Sequence, residues 1–170
     1  MRPSLLASAA LAVACLASSS SAAIIATYSI GSGSSTSSVQ IDFASGNGYL
    51  FNVSWDQPMN GYQLLQYIDA ELGAVSHTAQ VFSFGVFVTG IGVGTDNEYG
   101  EGDLWPIENY WHYWTKDSGS WQQAMVGASD RTIFDGSFDA WVFGSSVAPQ
   151  AVPAPGALAL LALGLRSRRR

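Results

Sequence analysis

The chain has 170 residues, of which 48% are hydrophobic and 12% charged, and this much apolar material excludes a wholly disordered protein. Residues 24–150 hold all 13 carboxylates but only two basic residues, Lys116 and Arg131, which gives this segment a formal charge of −11. A segment this acidic repels phosphate backbones, so we expect no nucleic-acid partner.

The N-terminus has the parts of a secretory signal peptide. Arg2 precedes an apolar run from Leu5 to Ala17, and small residues follow it. We predict a signal peptide over residues 1–23, read by the export machinery and removed. Cys15 is the only cysteine and lies inside this signal peptide, so a chain cleaved after the signal peptide contains no disulfide. The alternative is that Cys15 is lipidated.

The first half of the body predicts strands. Residues 24–31 are typical of an edge strand, and 32–38 of a flexible connector. Alternating apolar and polar residues at 39–44 and 49–56, around the turn residues 45–48, predict a β-hairpin.

A change of period then marks a helix. Leu64, Leu65, Ile68 and Leu72 fall on one face of a helix predicted over 61–72, which Gly73 ends. Further strands are predicted at 80–94, 110–114, 121–129 and 138–144, with an acidic loop at 95–109. Residues 24–144 are therefore predicted to form one α+β domain, with a single helix packed on a mixed or antiparallel sheet.

Aromatic residues are concentrated between 110 and 144. On a strand, Trp111 and Tyr113 would point to one side, and Tyr110, His112 and Trp114 to the other. One side would pack the core and the other would offer an aromatic surface for a small molecule or glycan. The predicted ligand-binding residues are Tyr110, Trp111, Tyr113, Trp114 and Trp121. The alternative is that these aromatics are mainly core.

Residues 60–144 resemble the domains similar to the C-terminal part of transcobalamin, the DUF4430-type group. The resemblance lies in a helix, an "FG-x-F-x-x-x-I" strand, a "YW-x-Y" strand and a closing "DG-x-x-x-x-W". The matching positions are Phe84, Gly85, Phe87, Ile91, Tyr110, Trp111, Tyr113, Asp135, Gly136 and Trp141. It implies a β-grasp-like fold and ligand binding at a surface.

Other motifs favour a protein that is not an enzyme. The loop carboxylates Asp96, Glu98, Glu101 and Asp103 lack the order of an EF-hand, and His77 and His112 have no cysteine companion. The stretch "GIGVG" at 90–94 precedes an acidic loop rather than a helix, so it predicts no phosphate site. We expect no catalytic residue, metal or cofactor; calcium and a cobalamin-like ligand stay open as alternatives.

The C-terminus has three parts. After a linker at 145–151 come a proline-bounded motif, an apolar run of ten residues at 156–165 and a basic end. Ten helical residues span about 15 Å, half of a ~30 Å hydrocarbon core. Residues 152–170 resemble the PEP-CTERM tails of bacterial exosortase substrates, with Ala154 in place of the usual glutamate. The positions that carry this signal are Val152, Pro153, Ala154, Pro155, Gly156, Arg166, Arg168, Arg169 and Arg170.

Together these features predict an exported bacterial protein. The resemblance implies an exosortase-type sorting and processing enzyme as a partner. It also implies retention at the inner membrane during sorting, and then the cell surface or the extracellular matrix as destination. The body is predicted to be a non-enzymatic ligand-binding module, and a structural matrix protein without a ligand is the alternative.

Overall fold

The computed structural model describes residues 23–149. These residues form nine strands and one helix, which confirms the α+β class: β1 (Ala23–Gly31), β2 (Ser35–Asp42), β3 (Asn47–Trp55), α1 (Gly61–Glu71), β4 (Val75–Phe82), β5 (Gly85–Val93), β6 (Asp96–Tyr99), β7 (Trp111–Thr115), β8 (Gln122–Gln123) and β9 (Phe138–Phe143). Residues 1–22 and 150–170, with nearly all of the predicted signal peptide and the whole sorting tail, lie outside the described residues.

The strands form two sheets. The large, mixed sheet has the order β1-β3-β2-β9-β7-β8, and the small, antiparallel sheet has the order β4-β5-β6. β2 and β3 make the predicted antiparallel hairpin, with Phe43 to Gly46 in the turn. At the centre of the large sheet, β9 returns from the end of the domain and pairs in parallel with β2.

The helix begins and ends close to its predicted bounds. A capping box starts it: the Asn60 side chain accepts a bond from the Gln63 backbone N–H (2.8 Å), and the Gln63 side chain accepts one from the Asn60 N–H (2.9 Å). Leu64, Leu65 and Ile68 are fully buried, as their spacing predicts. Leu72 caps the last turn by donating its N–H to the Ile68 carbonyl.

One main core lies between the large sheet, the helix and the small sheet. Ile41 and Phe51 from the large sheet share it with Leu65 from α1, and with Ile91 and Val93 from β5. The small sheet thus covers the core beside the helix, and its other side faces solvent.

The prediction of one strand over 80–94 and a loop over 95–109 is wrong. β4 and β5 form a hairpin whose turn is Ser83–Phe84, and Gly85 follows at φ 138°, where a side chain would be strained. Ser and Phe are weak turn signals, so the sequence pattern of a strand continued without a break through the turn. β6 lies inside the acidic loop, and its ladder with β5 pairs Gly90 with Tyr99.

Two other boundaries also differ. β2 begins at Ser35, inside the predicted flexible connector, because its serine-rich start pairs along β3 to Trp55. Only Gln122 and Gln123 of the predicted strand 121–129 are strand, paired with the end of β7. At the start of β2, tertiary pairing overrides the weak local preference.

Candidate functional site

The aromatic strand β7 lies between β9 and β8, and its side chains alternate as predicted. Trp111 and Tyr113 point into the main core on the helix side. His112 and Trp114 point to the opposite side of the sheet. We call this side the outer face and define it by His112, Trp114, Ala140 and Val142. On it, Trp114, Ala140 and Val142 form a separate apolar cluster.

The helix side of β7 is packed rather than open. Trp111, only 3% exposed, meets Phe43 and Phe143 edge to face at 5.4 and 5.2 Å between ring centroids. Tyr113 lies against Trp141, with ring centroids 4.6 Å apart. These contacts make both residues part of the core.

A buried polar network continues from Tyr113. Its hydroxyl donates to Asp139, which is 1% exposed, and Arg131 approaches the same carboxylate at 3.3 Å. Arg131 also binds the exposed Asp117 with two hydrogen bonds. Gly61 makes room for this network, because a Cβ there would lie 2.1 Å from the Tyr113 hydroxyl oxygen.

Burial sets the direction of the shifts in this network. It raises the pKa of Tyr113, and the nearby Asp139 charge raises it further. Burial also raises the pKa of Asp139, while the Tyr113 hydrogen bond and the Arg131 charge oppose that rise. The network therefore joins β7, β9 and the segment before β9 through hydrogen bonds to one buried carboxyl group.

The outer face contains two polar side chains without hydrogen bonds. Neither ring nitrogen of His112 nor the Trp114 Nε1 has a hydrogen-bond partner among residues 23–149. His112 is 2% exposed and Trp114 is 8% exposed. Burial lowers the pKa of His112, and Glu108, whose Oε2 lies 3.7 Å from the ring, opposes that shift.

The half-buried aromatics Tyr110 and Trp121 flank these two residues. The Tyr110 ring centroid lies 4.1 Å from that of His112, and Trp121 packs on Phe138 with centroids 4.6 Å apart. Of the five predicted ligand-binding residues, the structure thus places Trp111 and Tyr113 on one side of the sheet and Tyr110, Trp114 and Trp121 on the other. Their role in ligand binding stays a prediction. Trp111 and Trp114 are both buried.

A groove crosses the solvent side of the small sheet, and the sequence pattern did not predict it. Two rows of three residues build it: Ser76, Gly92 and Asn97 in one row, and Thr78, Gly90 and Tyr99 in the other. Each row has a glycine on the central strand β5. The groove therefore has bare backbone as its floor and side chains only at its rims, with a volume of about 90 Å³.

The side chains at the rims lie close to the positions that Cβ atoms on the two glycines would occupy. A Cβ on Gly90 would lie 2.6 Å from the Thr78 Oγ1, and a Cβ on Gly92 would lie 2.8 Å from the Ser76 Oγ and 3.2 Å from the Asn97 Nδ2. Any side chain on the floor would therefore fill the groove. The glycines at 90 and 92 were visible in the sequence, and alternate glycines in a strand are a signal for such a bare strip.

Polar groups extend the groove along the sheet. The Tyr99 side chain, 59% exposed, donates its hydroxyl to Glu101, and the Gln80 amide donates to the same carboxylate at 2.8 Å. This surface offers hydroxyl, amide and carboxylate groups beside one exposed aromatic ring. Such a set can hydrogen-bond a hydroxylated ligand and pack against its apolar face.

The loop carboxylates that suggested a calcium site each accept hydrogen bonds from different residues. Asp96 accepts from Tyr49 (2.6 Å) and Asn47 (2.9 Å), which lowers the pKa of Asp96. Asp103 accepts from Asn109 at 2.8 Å. Within residues 23–149, no group of three or more His, Cys, Asp and Glu side chains is arranged to hold a metal ion.

His77 joins the helix to the small sheet. Its Nδ1 lies 2.5 Å from the Asp69 Oδ2, and its Nε2 lies 3.2 Å from the Tyr62 hydroxyl. Both nitrogens of the ring are therefore engaged by residues of α1. This contact fixes the position of β4, and with it one rim of the groove.

Comparison with known proteins places few constraints on this chain. No protein-family model matches it, and a search of characterised proteins found no significant match. Among solved structures, it is similar to a Ruminococcus gnavus protein provisionally described as a metal binding protein. The two are 11% identical, with a TM-score of 0.49, over 67% of this chain and 100% of the other. Across residues 23–149, no helix is long and apolar enough to cross a membrane.

Proposed function

We propose that this protein is an exported bacterial cell-surface or matrix protein whose body is a non-enzymatic binding module. The sequence of residues 1–23 supports export, and the three-part order of residues 152–170 supports sorting by an exosortase-type enzyme. In this proposal both ends direct the chain to its destination, and the domain between them acts there.

We also propose that the domain is β-grasp-like. In support, the β2–β3 hairpin leads into α1, and the last strand, β9, lies parallel to β2 at the centre of the sheet. The small sheet β4-β5-β6 is then an insertion that covers part of the core. It also presents the groove on its far side.

The groove is the observation that supports binding best. Its floor is backbone, its rims are neutral hydroxyl and amide groups, and one exposed tyrosine ring stands at its end. Sugars have this pattern of hydroxyl groups around an apolar face, and the open, shallow shape suits one or two units of a longer glycan. We therefore propose a neutral glycan as the ligand class.

The proposal predicts that Gly92→Ala weakens glycan binding at least tenfold. The added methyl group enters the groove, where it meets only the ends of the flexible side chains Ser76 and Asn97. The backbone tolerates alanine because Gly92 is not among the glycines with positive φ. Binding is measured by titrating cello-, chito- and manno-oligosaccharides while following the amide NMR signals of the small sheet.

Gly73→Ala is the matched control, because its Cβ would meet nothing within 4 Å. It should bind as the parent protein does, and both variants should unfold at similar urea concentrations. If none of the oligosaccharides shifts the signals of β5 and β6, or if Gly92→Ala binds as tightly as Gly73→Ala, the groove is not a glycan site.

A structural role is the second candidate. The burial of Trp111 and Trp114 favours it, because aromatic residues that pack the sheet from both sides leave less ring surface for a ligand. A protein of this kind would give a flat response to the whole panel. Its stability would then be the property that matters at the cell surface.

Processing of the tail gives a separate prediction. Protein recovered from the cell surface should have an intact mass that fits a chain from near Ile24 to near Pro153. Replacing Arg166, Arg168, Arg169 and Arg170 by serine should leave the tail uncut, because these charges hold the basic end on the cytoplasmic side. Lys116→Ser, which removes a positive charge from the domain, should be processed normally. Surface protein that keeps its arginines would mean that the tail is a permanent anchor.

A further inference from the structure

The loop between β6 and β7 contains an exposed apolar turn, residues 104–107, which read LWPI. The Ile107 N–H donates to the Leu104 carbonyl (2.7 Å), and this bond closes a four-residue turn. Trp105 and Pro106 lie at its apex. The side chains of Leu104, Trp105 and Ile107 are 52%, 90% and 65% exposed. Surface turns are usually built from polar residues and glycine, so three adjacent large apolar side chains here indicate a contact outside the domain.

Asn109 holds the base of this loop in place. Its Oδ1 accepts the Leu104 N–H (3.2 Å), and its Nδ2 donates to Asp103 (2.8 Å). Its carbonyl accepts the Gly102 N–H (3.2 Å), and a Cβ on Gly100 would lie only 1.9 Å from the same carbonyl oxygen. The apolar turn therefore stands on a base that is already ordered, so little conformational entropy is lost when the turn binds.

The backbone of the apolar turn suits surroundings that contain little water. In a bilayer, a backbone N–H must find its acceptor within the protein. The N–H groups of Leu104 and Ile107 are both bonded inside the loop, and Pro106 has no N–H. Tryptophan at the apex matches the boundary between lipid and water, because its ring is apolar and its indole N–H is polar.

The described chain leaves the domain beside this loop. Ser146 donates its backbone N–H to the Oε2 of Glu108 (3.1 Å), the residue that directly follows the apolar turn. Two residues earlier, Gly144 donates its N–H to the Tyr110 carbonyl (3.0 Å). The apolar run at 156–165 comes ten residues after Ser146 in the sequence. The turn and the segment that leads to this run therefore belong to the same edge of the domain.

We propose that the apolar turn inserts into the surface of a zwitterionic lipid bilayer, with Trp105 at the interface and Leu104 and Ile107 beside it. The inference rests on the proposed function for the source of the bilayer, which is the membrane that retains the tail during sorting. Asp103 and Glu108 flank the turn, and the domain as a whole is strongly acidic, so an anionic lipid surface would repel it.

Insertion would add a second membrane contact to that of the tail. Two contacts on one chain bind more tightly than either alone, because the second forms within a molecule that is already held. The edge of the domain with the apolar turn would then face the bilayer. Removal of the tail would leave only this shallow contact, and the domain could leave the membrane for the cell surface.

Paramagnetic broadening by lipid tests the insertion directly. The full chain is mixed with phosphatidylcholine bicelles that contain a nitroxide lipid, and its six tryptophan indole N–H signals are recorded. We expect the Trp105 signal, assigned with Trp105→Phe, to lose at least fivefold in intensity. Trp55, whose Nε1 bonds Ser37 (2.9 Å), should keep most of its intensity. So should the half-buried Trp121, which lies beside the opposite end of β7.

Matched variants separate insertion of the turn from general stickiness of the surface. The double substitution Leu104→Ser and Ile107→Ser keeps Trp105 but removes its apolar neighbours, and it should reduce the broadening of Trp105 at least threefold. Met125→Ser removes a side chain that is 96% exposed on a different loop, and it should leave the broadening unchanged. All three side chains are exposed, so both variants should keep the fold.

Three results would overturn the proposal. In the first, the diffusion coefficient shows that the chain is bound to bicelles, but Trp105 is broadened no more than Trp121; the tail would then be the membrane contact. In the second, Met125→Ser lowers the broadening as much as the double substitution. In the third, the Trp105 signal shifts with protein concentration without lipid, and a second copy would be the partner of the turn. A chain that diffuses freely beside bicelles would contradict retention by the tail as well.

Discussion

Asp139→Ala should lower the free energy of unfolding by about 3–5 kcal/mol, the range for breaking a buried ion pair on one side. Asp139 is 1% exposed, and its carboxylate accepts from the Tyr113 hydroxyl and faces Arg131. The substitution leaves both groups without this acceptor inside the protein. Urea unfolding followed by tryptophan fluorescence measures the loss.

Asp117→Ala is the control for the Asp139 experiment. Asp117 binds the same Arg131 guanidinium, but its side chain is 45% exposed, so water replaces the lost contact. We expect a cost below about 1 kcal/mol, as for other ion pairs at the surface. Equal losses for the two variants would show that burial of Asp139 contributes nothing, and the network would then be a surface feature.

The elements with strong local signals were predicted from the sequence. The helix over 61–71 has both an apolar face and a capping pair, Asn60 and Gln63, so local and tertiary preferences agree. The β2–β3 hairpin has alternating residues around a turn that contains Gly46 at φ 88°. In both elements, neighbours in the chain are also neighbours in space.

The small sheet could not be predicted in the same way. β6 is acidic and only partly buried, and it forms a strand because it pairs with Gly90–Val93 of β5 and because Asp96 accepts hydrogen bonds from Asn47 and Tyr49. Both reasons are contacts between distant parts of the chain. A pattern within a short window contains neither of them.

The aromatic strand shows a different limit. Alternation predicted the two sides of β7, but the sequence could not tell how deeply each side is packed. Ala148, far along the chain, covers part of the Trp114 cluster, and Phe143 covers Trp111. Exposure depends on what lies above a residue, and that is set by the whole fold.

The substitutions Phe51→Ala and Phe84→Ala measure how much the burial of a phenylalanine contributes to stability. Phe51 is fully buried on β3, between β1 and β2, and stacks on Tyr28 with ring centroids 5.2 Å apart. Its truncation leaves a cavity in the main core, for which we expect a loss of about 3–5 kcal/mol in the free energy of unfolding. Urea unfolding with an unchanged m-value would assign the loss to the native state.

Phe84→Ala removes the same side chain from the turn between β4 and β5. Phe84 is 79% exposed, and its ring stacks on that of Phe82. We expect a change within about 0.5 kcal/mol, as for other surface positions. Phe84 is also one of the positions that match the transcobalamin-like pattern. A large loss in the free energy of unfolding for Phe84→Ala would mean that the ring is covered in the folded protein. A change within that range would confirm that the Phe84 ring lies at the surface, where a single exposed apolar residue is common.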